Sequence, residues 1–464
     1  MAKRYEKYKD SGIAWISKIP KHWEATNFRY FINILTDYTA NGSFGDLSKN
    51  VEYIGHRSYA RLIRLTDLRE DLNNENGVWV NEKAYNYLSK SSLYGGELLL
   101  ANVGAYSGYS CIMPKVDYPT TLAPNMFLIK QYKKDLNTKY LWYLLSSKMF
   151  FNYLQIVALS SAQPKLNKEN IRQTPIIIPP IIEQEQIAKY LDWKCGEVDK
   201  IVEVRERQIK LLGELRTSVI SRAVTRGLNP NAPLKDSGID WIGQIPKHWE
   251  TIKLKYIFTF GKGLNITKED LVESGMPVIS YGQIHSKENH GTGVKESLKR
   301  FVNGDYLKTN RQSLVNNNDF IFADTSEDLE GVGNCVFVDN NEMLFAGYHT
   351  ITLKVKNMQH NKYLAYLFLS DLWRTQIRSR VTGVKVFSIT KTILNFNTVL
   401  LPPIAEQQQI AEYLDKKTAE IDSTINKFKV QIDKLKEYRQ ALITEVVTGK
   451  IDVRGIEIPT PKNN

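Results

Sequence analysis

A chain of 464 residues is long enough for two to four domains with cores of their own, and 42% hydrophobic with 24% charged residues is an ordinary globular balance, not that of a disordered or membrane-spanning chain. The net charge of +12 and a pI near 9.2 lean toward a polyanionic partner. Three cysteines, Cys111, Cys195 and Cys335, lie too far apart for a zinc motif and imply no disulfide framework.

The N-terminus has no apolar targeting core, and no run of 18 apolar residues occurs, so a cytoplasmic, reducing location is expected. Residues 1–24 read as a strap. Its segment Asp10–Glu24 (DSGIAWISKIPKHWE) returns as Asp236–Glu250 (DSGIDWIGQIPKHWE), with 12 of 15 positions identical. Trp15, Ile19 and Trp23 supply apolar anchors. His22 and His248 each stand alone beside a tryptophan, which favours packing over metal ligation.

Residues 25–178 form a first module of short strands at Arg61–Leu65, Gly77–Val80, Glu97–Leu100 and Met126–Ile129, with a helix predicted near Thr138–Leu154. It ends in the extended run Thr174–Ile178. Residues 251–401 repeat that order with strands at Pro277–Ser280, Asp319–Phe322, Cys335–Val338 and Thr350–Val355, a helix near Lys362–Arg378, and the run Thr398–Leu401. The two modules share almost no sequence. One frame is thus repeated around two different fillings.

Each module is followed by a second repeat. Pro179–Asp192 (PPIIEQEQIAKYLD) returns as Pro402–Asp415 (PPIAEQQQIAEYLD), 11 of 14 positions identical at an offset of 223. Each copy opens a heptad-patterned helical spacer, over 179–227 and 402–450. In the second, Leu414, Ile421, Phe428, Leu435 and Leu442 fall seven apart, with Ile425, Ile432 and Val446 between. The first shows Leu191, Val198, Leu212 and Val219, with Val202 and Ile209 between. Arg205, Arg216 and Arg439 interrupt these stripes. Such helices, about 60 Å long, fit either a bundle or mutual pairing, and their duplication favours pairing. Gly227 and Gly449 mark the helix ends. Residues 228–250 link the halves and carry the second strap, and 451–464 form a C-terminal tail. Charge is not concentrated on the spacers: Glu183–Arg226 holds nine Lys/Arg against eight Asp/Glu, and Glu406–Lys450 holds eight of each.

Signatures of catalysis are missing. Gly449-Lys450 is followed by Ile, so there is no phosphate-binding loop. No Asn-Pro-Pro-aromatic segment for amino-group methylation exists, and no Glu-x-Lys of a metal-dependent nuclease core occurs. What remains is material for nucleic-acid contact. Loops such as Gly55–Arg61, Asn102–Tyr109, Ser160–Lys165, Tyr281–Lys287 and Arg378–Phe387 are rich in Tyr, Asn, Gln, Arg and Lys.

The two doubled motifs, in this order and around two divergent modules, resemble the DNA-specificity subunit of type I restriction–modification systems over the whole chain. The resemblance implies an α+β fold: two globular α/β target-recognition domains separated by two long helices that form an antiparallel coiled coil with pseudo-twofold symmetry. It implies a non-catalytic subunit in which each domain reads one half of a gapped asymmetric site in double-stranded DNA. The helices would set the spacing and dock two methyltransferase subunits, with restriction (translocase/nuclease) subunits joining them. No cofactor is expected on this chain; S-adenosylmethionine would belong to the methyltransferase, and ATP and magnesium to the restriction partner. A stand-alone DNA-binding regulator and an autonomous DNA-modifying enzyme remain as alternatives.

Base-reading residues do not carry over from the resemblance, because the modules align to no motif. On residue type and loop position alone, the DNA-binding candidates are Arg57, Arg61, Arg64, Asn102, Tyr106 and Lys165 in the first module. In the second they are Gln283, His285, Lys287, Ser326, Arg380 and Lys385. Lys165 and Ser388 are expected at equivalent positions. Partner-binding candidates are Glu183, Gln184, Tyr190, Glu406, Gln407 and Tyr413, although Glu and Gln at a helix start serve equally as caps.

Overall fold

The computed structural model describes residues 3–70, 72, 76–131, 135–159, 164–356, 361–383 and 385–459. The chain divides into two units: residues 1–205 with 430–464, and residues 206–429. Each unit holds one recognition module and a segment of both spacer helices.

In the first unit the strap folds into a hairpin, Tyr8–Ile13 against Ile16–Pro20. The strand Glu24–Asn27 then pairs antiparallel with Pro175–Ile178, so the first and last strands of the module close it. Between them lies an antiparallel sheet in the order Ile32–Asp37, Met126–Gln131, Leu98–Ala101, Ser110–Ile112. Leu98 to Ala101 are all buried, as expected of a central strand covered on both faces. A second sheet orders Val78–Val80, Ala60–Ile63, Thr120–Leu122 and Ser92–Leu93, with one parallel pair.

The second unit repeats this plan. Leu234–Asp236 pairs with Gln244–Pro246, and Glu250–Lys253 with Thr398–Leu401. The antiparallel sheet runs Phe258–Phe260, Thr350–Val355, Phe320–Ala323, Cys335–Phe337. The second sheet gains a fifth, edge strand, Leu271–Val272. The strands read from sequence are therefore present in both modules, with ends shifted by one or two residues.

The helices differ from expectation. Each predicted helix is two: Thr138–Ser146 and Lys148–Ala158 in the first module, Asn361–Leu369 and Asp371–Arg378 in the second. The break falls on serine both times, Ser147 and Ser370, each in an extended conformation at an N-cap. Apolar periodicity runs through the break and hides it. Among the short helices that were not foreseen are Lys168–Gln173 and Lys391–Phe396, capped by Asn167 and Thr390.

The spacer helices span Ile181–Arg226 and Ile404–Val447. In the first unit the start of the first helix (Leu191, Cys195) shares a core with the end of the second (Leu442, Val446). In the second unit the end of the first (Ile220, Val224) packs with the start of the second (Ile410, Leu414). The pairing is antiparallel. The arginines that interrupt the apolar stripes explain themselves: Arg439 Nε lies 3.0 Å from Asp199 Oδ1, and Arg216 Nε lies 3.1 Å from Asp422 Oδ1. Both pairs are half-exposed, worth at most about 1 kcal/mol each. Their effect is on register, since 199 with 439 and 216 with 422 fit one and the same alignment.

The tail is not loose. Val453 is fully buried beside Tyr5, and Gln186 Nε2 donates to Val453 O at 3.1 Å and Ile456 O at 2.8 Å. Residues 460–464 lie outside the described residues. None of the described helices is long and apolar enough to cross a membrane.

Burial raises the three thiols, Cys111 and Cys335 to about 12 and Cys195 to about 11, from an ordinary 9.0. The buried Tyr140 and Tyr363 hydroxyls move the same way. Unfolded, these groups release their protons at lower pH than in the fold. Their contribution is therefore complete below pH 9 and lost as pH rises through 11 to 12. The urea midpoint at pH 10.5 is expected below that at pH 8; equal midpoints would contradict this burial.

Candidate DNA interface

The doubled Glu-Gln motif works inside the chain. Glu183, only 5% exposed, accepts hydrogen bonds from the Tyr5 hydroxyl and from Trp23 Nε1 (3.0 Å), with His22 Nε2 at 2.8 Å. Gln184, fully buried, donates to Asp135 O and Pro179 O, both at 2.8 Å, and accepts from Asn137 N. The second copy repeats the latch: His248 Nε2 lies 2.7 Å from Glu406 Oε2, and buried Gln407 donates to Pro402 O at 2.8 Å. The strap is thus pinned to the first turn of the spacer helix. The aspartate that ends each motif pins the module. Asp192 accepts from the Tyr143 hydroxyl (2.9 Å) and pairs with Lys139 (2.5 Å), and Asp415 does so with Tyr366 (2.7 Å) and Lys362 (2.8 Å).

This corrects four of the six partner candidates. Glu183, Gln184, Tyr190 and Gln407 are buried, so a partner subunit has no access to them. Glu406 is half-buried in its latch, and only Tyr413, 38% exposed, presents a face outward. The positions identical in the two copies include those that lock strap and module to the spacer helix.

At one end of each antiparallel sheet, two loops meet. In the first module Val103 bridges Lys165, and Gly104 N donates to Pro164 O at 3.0 Å. In the second, Thr325–Ser326 pairs with Phe387–Ser388. Lys165 and Ser388 do occupy matching places. A turn abuts each site, with positive backbone φ at Asn125 (70°) and His349 (54°). Asn102 N donates to Asn125 O, and Asp324 N to His349 O, at 3.1 Å each.

Asn102, Tyr106 and Lys165 gather at the first of these sites. Tyr106 is 44% exposed, with the Arg69 guanidinium 4.1 Å from its ring centre. Asn102 is 7% exposed, and its Oδ1 has no hydrogen-bond partner among the described residues. Lys165 is exposed, while residues 160–163 of its predicted loop lie outside the described residues. Arg57 is also exposed, about 6.0 Å from the Trp79 and Tyr118 ring centres. Arg61 is a correction. It is 3% exposed and directed inward to Asp67 (3.5 Å) and the Leu72 carbonyl, so no nucleic acid reaches it. Arg64 grips the same Asp67 (2.9 Å) and Asn76 O.

In the second module His285 and Ser326 fall together. Tyr281, His285, Ser326, Asn334, His349 and Val386 help line a cavity of about 700 Å³. His285 lies with Nε2 2.8 Å from Thr325 O and Nδ1 3.2 Å from Asn334 Nδ2, which gives Nε2 the proton. Gln283 caps its own short helix through Ser280 N. Ser326 is buried, giving its hydroxyl to Asp328 O at 2.7 Å, so it shapes the loop without contacting a ligand. Lys287 and Lys385 are exposed, and Arg380 reaches Asn397 Oδ1 at 2.8 Å. Sequence reasoning missed the carboxylates Glu327, Asp328 and Glu330 on this cavity, and Arg69 beneath Tyr106. The acidic run was legible, but a basic chain drew attention to its cations.

Both sites thus present amide, hydroxyl and charged groups on loops fixed by sheet pairing. Such groups can hold phosphates and read base edges.

Residues 65–209 and 246–433 match a family described as Type I restriction modification DNA specificity domain. The MjaVIII specificity subunit of Methanocaldococcus jannaschii is 23% identical over 455 residues, covering 95% of each chain. The EcoKI specificity subunit of Escherichia coli K12 is 24% identical over 213 residues, 45% of this chain and 44% of that one. Two solved structures share the fold. One, from work on complex assembly and conformational transition of the type I R-M system, gives a TM-score of 0.68 at 15% identity, over 93% of this chain and 99% of that one. The other, the HsdS subunit from Thermoanaerobacter tengcongensis, gives 0.51 at 16%, over 93% and 98%.

Proposed function

The chain belongs to the type I restriction–modification DNA-specificity family, and from that premise we propose that it is a non-catalytic subunit whose two modules each read one half of a gapped DNA site. The observation that carries this reading is the repetition of one rigid frame around two different loop sets, at 103–109 with 164–166 and at 325–331 with 385–388. A pair of equal readers would have similar loops. Here one is glycine- and tyrosine-rich and the other acidic, which suits an asymmetric site. Arginine and lysine would hold phosphates. Carboxylates on the second loop would accept from exocyclic amines, as Asp and Glu do from cytosine.

Methylome sequencing of cells expressing the chain with its methyltransferase tests this. A bipartite asymmetric motif is expected. In the double variant Tyr106→Ala, Lys165→Ala, methylation of the whole site should fall 5- to 100-fold, about 1–2.7 kcal/mol, and the sequence requirement should relax at the half read by the first module while that of the other half is kept. Relaxation of both halves alike, or no bipartite motif, would refute the assignment.

The methyltransferase subunits would dock on the spacer, with restriction subunits added to that complex, S-adenosylmethionine held by the former, and ATP and magnesium by the latter. In the second unit the first spacer helix leaves Leu211 and Leu215 about half-exposed, four residues apart on one face. Such a face suits a partner helix. The second helix has Lys434 and Tyr438 at the matching positions. Leu211→Glu with Leu215→Glu should therefore lower the number of methyltransferase subunits that co-purify; unchanged stoichiometry moves the docking site elsewhere.

A further inference from the structure

A cavity of about 340 Å³ lies wholly within the second unit, bordered by Arg216, Ser286, His290, Cys335, Arg374 and Asp422. Arg374 is its unusual member. It is only 9% exposed, yet it forms no ion pair among the described residues. Its Nε donates to Phe368 O at 2.8 Å and its Nη1 to Asn334 Oδ1 at 2.7 Å, both neutral acceptors. Its Nη2 has no hydrogen-bond partner among the described residues. Burial pushes the guanidinium pKa down, and the nearby Cys335 thiol, itself raised to about 12 by burial, stays protonated and supplies no counter-charge; the Arg378 charge adds to the lowering, and Asp371, which opposes it, is paired with Arg378 at 3.0 Å.

The other charges do not neutralise it. Asp422 is engaged by Arg216 Nε at 3.1 and 3.4 Å, and the terminal nitrogens of Arg216 form no hydrogen bond among the described residues. His290 is exposed, with Lys295 Nζ 3.0 Å from its Nε2, and Arg216 and Lys429 add positive charge against Asp422 alone. A buried, unpaired guanidinium is costly, and two planar nitrogen forks facing a polar cavity match a tetrahedral oxyanion.

We propose that this cavity is an oxyanion site for a phosphate-class ligand, held by Arg374 Nη2 and the free nitrogens of Arg216, with His290 and Ser286 at the rim. The site is particular to the second module. The Arg216–Asp422 pair is duplicated as Arg439–Asp199, but the position matching Arg374 at the offset of 223 is Phe151. It also has a route to the reading loop. Asn334 bonds Arg374 on one side and His285 on the other, and His285 holds Thr325 O. An anion at Arg374 thereby stiffens the base of the loop that follows Thr325.

The phosphate can be free in solution or part of the DNA backbone, and two arms separate these sources. In the first, the full chain is unfolded thermally while inorganic phosphate is titrated against chloride at matched ionic strength. A saturable rise in unfolding temperature is expected, lost in Arg374→Lys, which keeps the charge without the second fork nitrogen. Should that buried change prevent folding, Ser286→Glu, at the rim, places a carboxylate in the site and abolishes the rise by charge. In the second arm, the salt dependence of DNA binding is measured for the same proteins. A slope shallower by about 0.9 in Ser286→Glu, whose carboxylate cancels one positive charge, assigns a backbone phosphate; an unchanged slope beside a phosphate-specific rise assigns the free anion. The inference is overturned if phosphate gives no more stabilisation than chloride and the slope is unchanged, or if the rise survives both substitutions. The first arm does not depend on sequence reading by the chain, so its outcome stands apart from the methylome result.

Discussion

Replacing Gly449 by valine is expected to destabilise the first unit by about 2–5 kcal/mol, read as a shift of its urea midpoint. Two costs add. Gly449 ends the second spacer helix at φ +73°, a left-handed conformation that costs a residue with a Cβ about 1–2 kcal/mol. A Cβ there would also stand 2.3 Å from Pro20 Cδ and 3.3 Å from the Trp23 ring, inside contact distance with two side chains the strap cannot move freely. Overpacking of this kind costs about 1–3 kcal/mol. Trp23 is fully buried and its Nε1 is bound to Glu183, so a displaced strap also strains the latch on the first spacer helix. The Tyr8 hydroxyl, which donates to Gly449 O at 3.0 Å, moves with it. Gly196→Ala is the control. Its Cβ meets nothing within 4 Å on the same kind of helix, and the change should stabilise by about 0.5–1 kcal/mol. If the valine variant keeps its midpoint, the strap is not the keystone of this unit.

That node shows what was legible in the sequence and what was not. The repeats made strap, module and spacer legible as segments, because each is a contiguous stretch whose two copies annotate one another. The glycines at both helix ends were legible as stops. What the repeats could not reveal is which non-contiguous segments meet. Glu183 receives Tyr5 and Trp23 from some 160 to 178 positions earlier, and Gly449 lies against Pro20. Nothing local to Glu183 distinguishes a buried latch from a helix cap or a docking residue. The same limit applies in the modules. Arg61 sits in a strand whose four residues are all buried, yet its type alone suggested DNA contact. Its partner Asp67 is six residues away on the next helix, a spacing with no periodic signature. Residue type proposed the reading residues. Burial then removed Arg61 and Ser326; in the first module strand pairing gathered Asn102, Tyr106 and Lys165, and in the second a side-chain bond holds His285 at Thr325.

A matched insertion of one heptad into both spacer helices is expected to abolish methylation at the native site and create methylation at one with a longer gap. Each helix runs unbroken from one unit into the other, so both must lengthen together. Seven residues add about 10.5 Å of helix, close to the rise of three base pairs at about 3.4 Å each. Seven residues also keep the apolar stripe on its face, so Asp199–Arg439 and Arg216–Asp422 can re-form within their own units. The half-site sequences should be unchanged, because the loops at 103–109 and 325–331 are held by their own modules and not by the helices' midpoints. An insertion in one helix alone is a different experiment. It slips that register by a full heptad over part of the pair and should lower stability without producing a clean new gap. Methylome sequencing separates the outcomes: the same two half-sites about three base pairs further apart support the helices as the ruler, and an unchanged gap in the folded double-insertion protein excludes it.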